Sequence, residues 1–182
     1  LGELYVFLFR CTPIVVQLLL IYYVIFPLMH VNIDKLVVAI VTFGLNSGAY
    51  VSEIVRSGIM SVDKGQLEAG RALGLSYPSA MLRIVLPQAF KNSLPALGNE
   101  LIALVKDTSV AGFISVCDLT QAFKALASSS YEYMVPYIVL ALVYLVIVGL
   151  ITLVIKLVER RLRKSEKRES KSQKRAAKGV EA

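Results

Sequence analysis

The chain has 182 residues, of which 56% are hydrophobic and only 18% are charged, and its formal net charge is +7. A soluble domain normally has about 25% charged residues, so the composition argues against a soluble globular protein. Two cysteines and a single histidine, His30, are too few for a disulfide framework or a Cys/His metal cluster. We therefore expect neither a metal nor a cofactor.

Three uncharged stretches are long enough to cross a bilayer, which takes about 20 residues in a helix. In chain order they are Cys11–Met29, Leu36–Ser52 and Val135–Ile155. A weaker candidate, Leu97–Cys117, is interrupted by Glu100, Lys106 and Asp107. The pattern predicts an all-α, polytopic membrane protein with about four spans.

Between the candidates Leu36–Ser52 and Leu97–Cys117 lies a more polar loop, residues 61–97, whose sequence predicts two short helices. Ser61 can cap the first helix and Gly74 can end it, while Ser76 can cap the second. Pro87 can end the second helix and open the next one. The residues alone leave two interpretations open. The pair is either an interfacial hairpin that packs on its own spans or a helix that docks in a groove of a partner.

The end of the chain sets the orientation. Residues 159–182 hold ten Lys or Arg residues against four acidic ones, and basic flanks mark the cytoplasmic side of a span. We expect residues 1–158 to form the transmembrane domain and residues 159–182 a disordered cytoplasmic tail. Counting spans backwards places the loop at 61–97 in the cytoplasm as well.

The basic tail raises the question of nucleic acid as a partner. It has no aromatic residue that could stack on bases. A solvated tail beside anionic lipid fits the composition better. We expect the lipid bilayer, and not nucleic acid, to be what this chain contacts.

The loop at 61–97 resembles the signature of ABC importer permeases: EAA, three residues, Gly, nine residues, Ile, one residue and Leu-Pro. Only Gly70 departs from that pattern, since it replaces Ala. The stretches FRCTPIVVQL, LNSGAYVSEIVRSGI and LPQAFKNSLPALGNELIALVKDTS resemble the polar amino-acid permease family of the histidine/glutamine type. The residues that carry the loop motif are Glu68, Ala69, Gly70, Gly74, Ile84, Leu86 and Pro87.

The resemblance implies the transmembrane domain of a type I ABC importer in the bacterial inner membrane, with usually five spans. We expect the first span of that family to be missing here, because the chain starts with Leu1. The implied partners are an ATPase, a second permease subunit and an extracytoplasmic substrate-binding protein. The motif residues would form the coupling helix that seats on the ATPase. The chain has no phosphate-binding GxxxxGK[ST] loop, so ATP would be hydrolysed by the partner and the chain is not expected to be an enzyme.

Two other functions stay open: a truncated, non-transporting membrane subunit and a secondary transporter that needs no ATPase. Gly70 also allows two expectations. A glycine inside a helix costs roughly 1 kcal/mol relative to alanine, so the coupling helix is either less rigid than the family pattern implies or closely approached by a partner's backbone.

Polar groups at membrane depth are the candidates for a substrate pathway, because charges there usually face a cavity or pair with each other. An amino acid offers an ammonium and a carboxylate, which suits an adjacent acid and base. The alternative is a structural role in packing between spans or, for the charged pair, snorkelling to the surface. The candidates are Gln17, Asn46, Ser47, Lys106, Asp107, Thr108 and Ser109.

Overall fold

The computed structural model describes residues 2–180, with side chains described for residues 2–161. All regular secondary structure in this part of the chain is helical, and the predicted all-α class is confirmed. The helices are α1 (Gly2–Cys11), α2 (Ile14–Leu28), α3 (Lys35–Met60), α4 (Lys64–Ala72), α5 (Tyr77–Ala80), α6 (Leu86–Asp107), α7 (Leu119–Ser130) and α8 (Met134–Val180). A 3₁₀ segment, Thr108–Ile114, follows α6.

Within the described residues, two helices are long and apolar enough to cross a membrane: α3, and residues Met134–Arg161 of α8. The pair α1 and α2 is bent by 108° and counts as a third span if it crosses as one unit. Helix α6 has 22 residues, a sufficient length of about 33 Å, but its polar residues keep it outside this group. The sequence-based number of four spans is therefore approximate.

Helices α3 and α6 form the main antiparallel pair of the bundle, and small residues allow their close approach. A Cβ atom added at Gly58 of α3 would lie 1.8 Å from Ser93 Oγ and 2.8 Å from the Ala89 carbonyl oxygen of α6. Ser93 Oγ donates to the Ala89 carbonyl of its own helix at 2.9 Å and also lies 3.3 Å from the Ile54 carbonyl oxygen of α3, between the two backbones. Small residues that let backbones approach, with a hydroxyl bridging them, are typical of helix pairs in membranes.

Helix α8 runs antiparallel along α6. A Cβ atom at Gly98 of α6 would lie 2.5 Å from Ile155 Cγ2, and Tyr144 of α8 hydrogen-bonds Thr120 of α7 through their hydroxyls at 3.2 Å. One end of the bundle therefore contains the end of α3, the start of α6 and the part of α8 that begins near Ile155. At the opposite end, a buried apolar cluster joins α2, α3 and the 3₁₀ segment; it includes Leu18, Ile21, Val38, Ala39, Phe43, Ala111 and Ile114.

Two π-helical turns interrupt the helices, and each lies just before a proline. Ile21–Ile25 precedes Pro27, and Met81–Val85 precedes Pro87. A proline has no N–H to donate and its ring crowds the carbonyl four residues earlier, and a wider turn relieves both problems. Pro87 stands in the first turn of α6, as predicted, but the preceding helix does not end there, because the helical path continues from α5 through the π turn into α6.

The last helix is assigned as far as Val180, which includes most of the segment expected to form a disordered tail. The side chains of residues 162–182 lie outside the described part of the structure. The division of the chain into a transmembrane domain and a basic tail stays a prediction.

Candidate functional sites

The loop at 61–97, here called the coupling loop, begins with a capped helix. Asp63 Oδ1 accepts a hydrogen bond of 2.6 Å from the Gly65 N–H, so Asp63 is the N-cap of α4 and not Ser61, as the sequence suggested. Ser61 Oγ instead donates to the Gly58 carbonyl and accepts a 2.9 Å bond from Asn92 Nδ2. Ser61 thereby fastens the start of the loop to α6.

Gly74 ends α4. Its φ of +88° lies in the left-handed region, and its N–H donates to the Arg71 carbonyl at 3.0 Å. The next N–H, that of Leu75, donates to the Gly70 carbonyl at 3.2 Å. These two bonds define a Schellman C-cap, in which glycine avoids the steric penalty of a Cβ atom.

Gly70 is the buried residue of α4, and its close neighbours belong to the same chain. A Cβ atom there would lie 2.6 Å from Ile84 Cδ1 and 3.4 Å from Ala80 Cβ. The expectation that a partner's backbone explains Gly70 is therefore wrong, since the close approach comes from α5 and the π turn. Gly70 and Ile84 are both motif residues, and they hold the two helices of the loop together.

The other motif residues divide by exposure. Leu86 is half-buried like Ile84, whereas Glu68, Ala69, Gly74 and Pro87 are exposed. Among the described side chains, Glu68 has neither a hydrogen bond nor an ion pair. The coupling loop therefore has an inner set of motif residues that builds the hairpin and an outer set that is free to meet another molecule.

A second candidate site lies at the break between α1 and α2. The chain bends there by 108° around Thr12 and Pro13. The break forms one wall of a cleft of about 440 Å³, and α3 and α6 form the other walls. The lining residues are Arg10, Cys11, Thr12, Pro13, Ile14, Asn46, Tyr50, Glu100, Ala103 and Asp107. We call this space the central cavity.

The central cavity carries charges of both signs. Its cation is Arg10, whose Nη1 atom lies 3.5 Å from Glu53 Oε2 and whose guanidinium carbon lies 5.4 Å from the ring centroid of Tyr50. Its carboxylates are Glu100 and Asp107, both half-buried. They stand seven residues apart on α6, which places them on one face of the helix.

Arg10 and Tyr50 also line a neighbouring cleft of about 380 Å³ between α3 and α6. That cleft reaches Ser61 and Asn92 at the base of the coupling loop. Arg10 and Tyr50 thus stand between the central cavity and the loop. Glu53 holds Arg10 and also accepts a 2.8 Å bond from Arg56 Nη2.

Of the seven predicted pathway residues, the structure brings Asn46 and Asp107 to the central cavity. Lys106 and Ser109 line a largely apolar groove against Tyr144, Leu145 and Val148 of α8. Thr108 is exposed, and its Oγ1 donates to the Val105 carbonyl at 2.7 Å. Ser47 is half-buried, and Gln17 is buried behind the break. The separation of Lys106 from Asp107 follows from the turn of about 100° between successive residues of a helix.

Sequence reasoning missed Arg10, Tyr50 and Glu100 as cavity residues. Glu100 could have been found, because its seven-residue spacing from Asp107 places both acids on one face of a helix. Tyr50 stands four residues after Asn46 on α3, so it shares a helix face with a residue that the sequence did select. Arg10 could not have been found, because it meets the cavity only through the sharp bend after α1.

Comparison with known proteins matches residues 1–164 to the family of binding-protein-dependent transport system inner membrane components. The chain is 42% identical to the arginine transport system permease protein ArtQ of Bacillus subtilis (strain 168), over 79% of this chain and 66% of that protein. It is 42% identical to the L-cystine transport system permease protein TcyB of the same organism, over 78% of this chain and 61% of that protein.

A third relative is the putative glutamine transport system permease protein GlnP of Rickettsia bellii (strain RML369-C), 40% identical over 79% of this chain and 66% of that protein. The chain thus spans between 61% and 66% of the length of these relatives.

Among solved structures, the fold matches an amino acid ABC transporter with histidines, with a TM-score of 0.82 and 41% identity over 87% of this chain and 74% of that one. An inward-facing structure of the MetNI methionine ABC transporter has a TM-score of 0.73 at 21% identity, over 87% of this chain and 73% of that one, and supports the fold alone. The predicted type I importer architecture and the family resemblance are both confirmed. The chain belongs to the inner membrane component family of binding-protein-dependent transport systems.

Proposed function

We propose that this chain is the permease subunit of an ABC importer for polar amino acids. The family match supports a transport role, and the names of the relatives, which refer to arginine, cystine and glutamine, support amino acids as the cargo. The single observation that carries the proposal is the central cavity at the break between α1 and α2.

The charges of the cavity suit a free amino acid. The Arg10 guanidinium can face a carboxylate, and Glu100 and Asp107 can face an ammonium. The ammonium needs only one of the two carboxylates, so the other can bind a cationic or amide side chain of the substrate. The cavity therefore favours a polar amino acid. Hydrogen bonds to charged groups are the stronger ones, and a water-filled cavity is where charges persist among membrane helices.

The coupling loop supports an ATPase as the partner. Glu68 is exposed on α4 without a partner among the described side chains, and α4 is held rigidly by its caps and by the contact of Gly70 with Ile84. A rigid helix with a free carboxylate can transmit the movement of a partner to α3 and α6. In this proposal the ATPase hydrolyses ATP, and the seven motif residues either contact it or build the helix that does.

The remaining partners follow from the same assignment: a second permease subunit, identical or related, and a binding protein that delivers the amino acid from outside. The subunit lies in the bacterial inner membrane with its C-terminus in the cytoplasm. The basic residues of the segment at 159–182 support this orientation. The coupling loop and the later part of α8 leave the bundle at the same end, which is consistent with it.

The experiment is uptake of labelled arginine, glutamine and cystine into lipid vesicles that contain the full transporter, with the binding protein outside the vesicles. We expect uptake of at least one of them only when ATP is on the side of the coupling loop. Uptake driven by an ion gradient without ATP would favour a secondary transporter. Assembly with an active ATPase but no uptake of any amino acid would favour a non-transporting subunit.

A further inference from the structure

The break between α1 and α2 leaves backbone groups without helical partners. Pro13 has no N–H, so the carbonyl of Phe9, four residues earlier, cannot form the usual helical bond. The Thr12 carbonyl also lies at this break. In a membrane protein, such groups are tolerated only where the protein itself satisfies them.

Two side-chain amides satisfy these carbonyls. Gln17 Nε2 donates to the Phe9 carbonyl at 2.8 Å and lies 2.9 Å from the Thr12 carbonyl and 2.8 Å from Thr12 Oγ1. Asn46 Nδ2 donates to the Phe9 carbonyl at 3.2 Å and to Gln17 Oε1 at 3.0 Å. We call Gln17 and Asn46 the amide clasp.

The amide clasp is buried and its N–H donors are used internally. The exposed fractions are 8% for Gln17 and 7% for Asn46. Gln17 lies outside the lining of the central cavity, and Asn46 lines it, but both donor bonds of Asn46 point to the break. The N–H groups of these amides therefore have little left to offer a substrate.

The clasp also joins three elements. Gln17 belongs to α2, the Phe9 carbonyl to α1 and Asn46 to α3. The direction of the bend is therefore fixed relative to α3, which forms another wall of the cavity. Residues Arg10 to Ile14, which form one wall of the cavity, lie in the chain between Phe9 and Gln17, and the clasp bonds these two residues to each other. The position of this wall segment therefore depends on the clasp.

We propose that Gln17 and Asn46 are positioning residues that hold the helix break in the shape that forms the central cavity, and that they do not bind the substrate. The proposal rests on the proposed function only in taking the cavity as the substrate's. The sequence suggested that both residues belong to the substrate pathway, because they are polar. The proposal gives them a role in holding the backbone instead.

The test reads the shape of the break directly. Cys11 lies at the break, is exposed and lines the cavity. With Cys117→Ser, Cys11 becomes the only thiol of this chain and can carry a nitroxide label. The electron paramagnetic resonance spectrum of the assembled transporter in lipid vesicles, with cysteine-free partner subunits, then reports the mobility of the break.

We expect Gln17→Met and Gln17→Glu to make the label more mobile. Gln17→Met removes both the donor to Phe9 and the acceptor from Asn46, whereas Gln17→Glu keeps the Oε1 atom that accepts from Asn46 and, when ionised, lacks the donor to Phe9. The matched control is Thr42→Val, one turn from Asn46 on α3, since Thr42 is fully buried and its hydroxyl donates only to the Val38 carbonyl of its own helix. The control should leave the spectrum unchanged.

The uptake kinetics give a second reading. Loss of a bond to a buried polar group is worth about a factor of ten, and we expect the KM to rise by about that factor while the ATPase stays bound. Because both amides act in one network, combining Gln17→Met with Asn46→Leu should cost little more than the worse single change.

A spectrum unchanged in Gln17→Glu together with a raised KM would overturn the proposal in favour of direct substrate contact. Failure of every clasp variant to assemble would also overturn it, in favour of a general folding role. The nitroxide spectrum needs no transported substrate, so a transporter that moves no amino acid would contradict the proposed function while leaving this test intact.

Discussion

The coupling loop and the helix break both place polar side chains next to irregular backbone, yet they use them in opposite ways. At the coupling loop, Glu68 is exposed and unpartnered among the described side chains, while apolar contacts such as that between Gly70 and Ile84 hold the loop together. At the break, Gln17 and Asn46 are buried, and their N–H groups donate to the Phe9 carbonyl and, from Asn46, also to Gln17 Oε1. A polar residue with free hydrogen-bonding capacity is available to a partner, whereas a saturated one is part of the scaffold.

The largest effect should come from Glu68→Lys. Reversing an exposed charge that meets a partner places like charges together or leaves the opposite charge unpaired, which costs several kcal/mol at an interface. We expect the subunit to reach the membrane but to lose more than about tenfold in ATPase association or ATP-driven uptake. Co-purification and vesicle uptake measure this. Glu68→Gln, which removes the charge at constant shape, should have an intermediate effect, and normal coupling in Glu68→Lys would contradict the assignment.

The next largest effect should distinguish two adjacent residues of α6. Asp107 lines the central cavity and Lys106 lines the groove against α8. Removing a charged hydrogen-bond partner costs about 1.5–3 kcal/mol, so Asp107→Asn should raise the KM for uptake by at least about tenfold. Lys106→Gln should change it by much less. Equal effects of the two substitutions would mean that the cavity described here is not the pathway.

A smaller effect is expected from Gly74→Ala, which tests the rigidity of the coupling loop. Its φ of +88° penalises any L side chain by roughly 1–2 kcal/mol. We expect a lower thermal unfolding midpoint for the purified subunit and weaker coupling. Gly44→Ala is the matched control, because Gly44 is helical with nothing near its added Cβ atom. Equal midpoints for the two variants would argue against the Schellman cap.

The smallest effect should come from Gly70→Ala. Helix propensity favours alanine by roughly 1 kcal/mol, and the clash at 2.6 Å is with Ile84 Cδ1, the end of a flexible side chain. Overpacking costs about 1–3 kcal/mol, so the two terms nearly cancel. The ratio of substrate taken up to ATP hydrolysed should stay unchanged. A large fall in that ratio would show that the loop cannot adjust around Ile84.

The sequence predicted the helical membrane fold and the helices of the loop at 61–97 well, because both depend on patterns that are local in the chain. Apolar runs became α2, α3 and α8, and Gly74 ended a helix as glycine commonly does. The cap of α4 was placed at Ser61, two residues before Asp63. Pro87 was expected to open a helix, but the unbroken path from α5 into α6 was not foreseen, because it depends on a π turn before the proline.

The central cavity was harder to predict because it joins residues that are distant in the chain. The functional weight given to Gln17 and Asn46 rested on their polarity, which a sequence shows, while their hydrogen-bond partners appear only in the fold. Asp107 was selected for the same reason and does face the cavity. Residue type therefore could not separate these cases.

The central claim, that the cavity at the helix break receives the substrate, is tested most directly by protection of Cys11. In the Cys117→Ser transporter, the rate at which a small methanethiosulfonate reagent modifies Cys11 is measured with and without a saturating transported amino acid. We predict that the amino acid slows modification and that Asp107→Asn weakens this protection at the same amino acid concentration while leaving the unprotected rate similar. Equal rates with and without every transported amino acid would contradict the account.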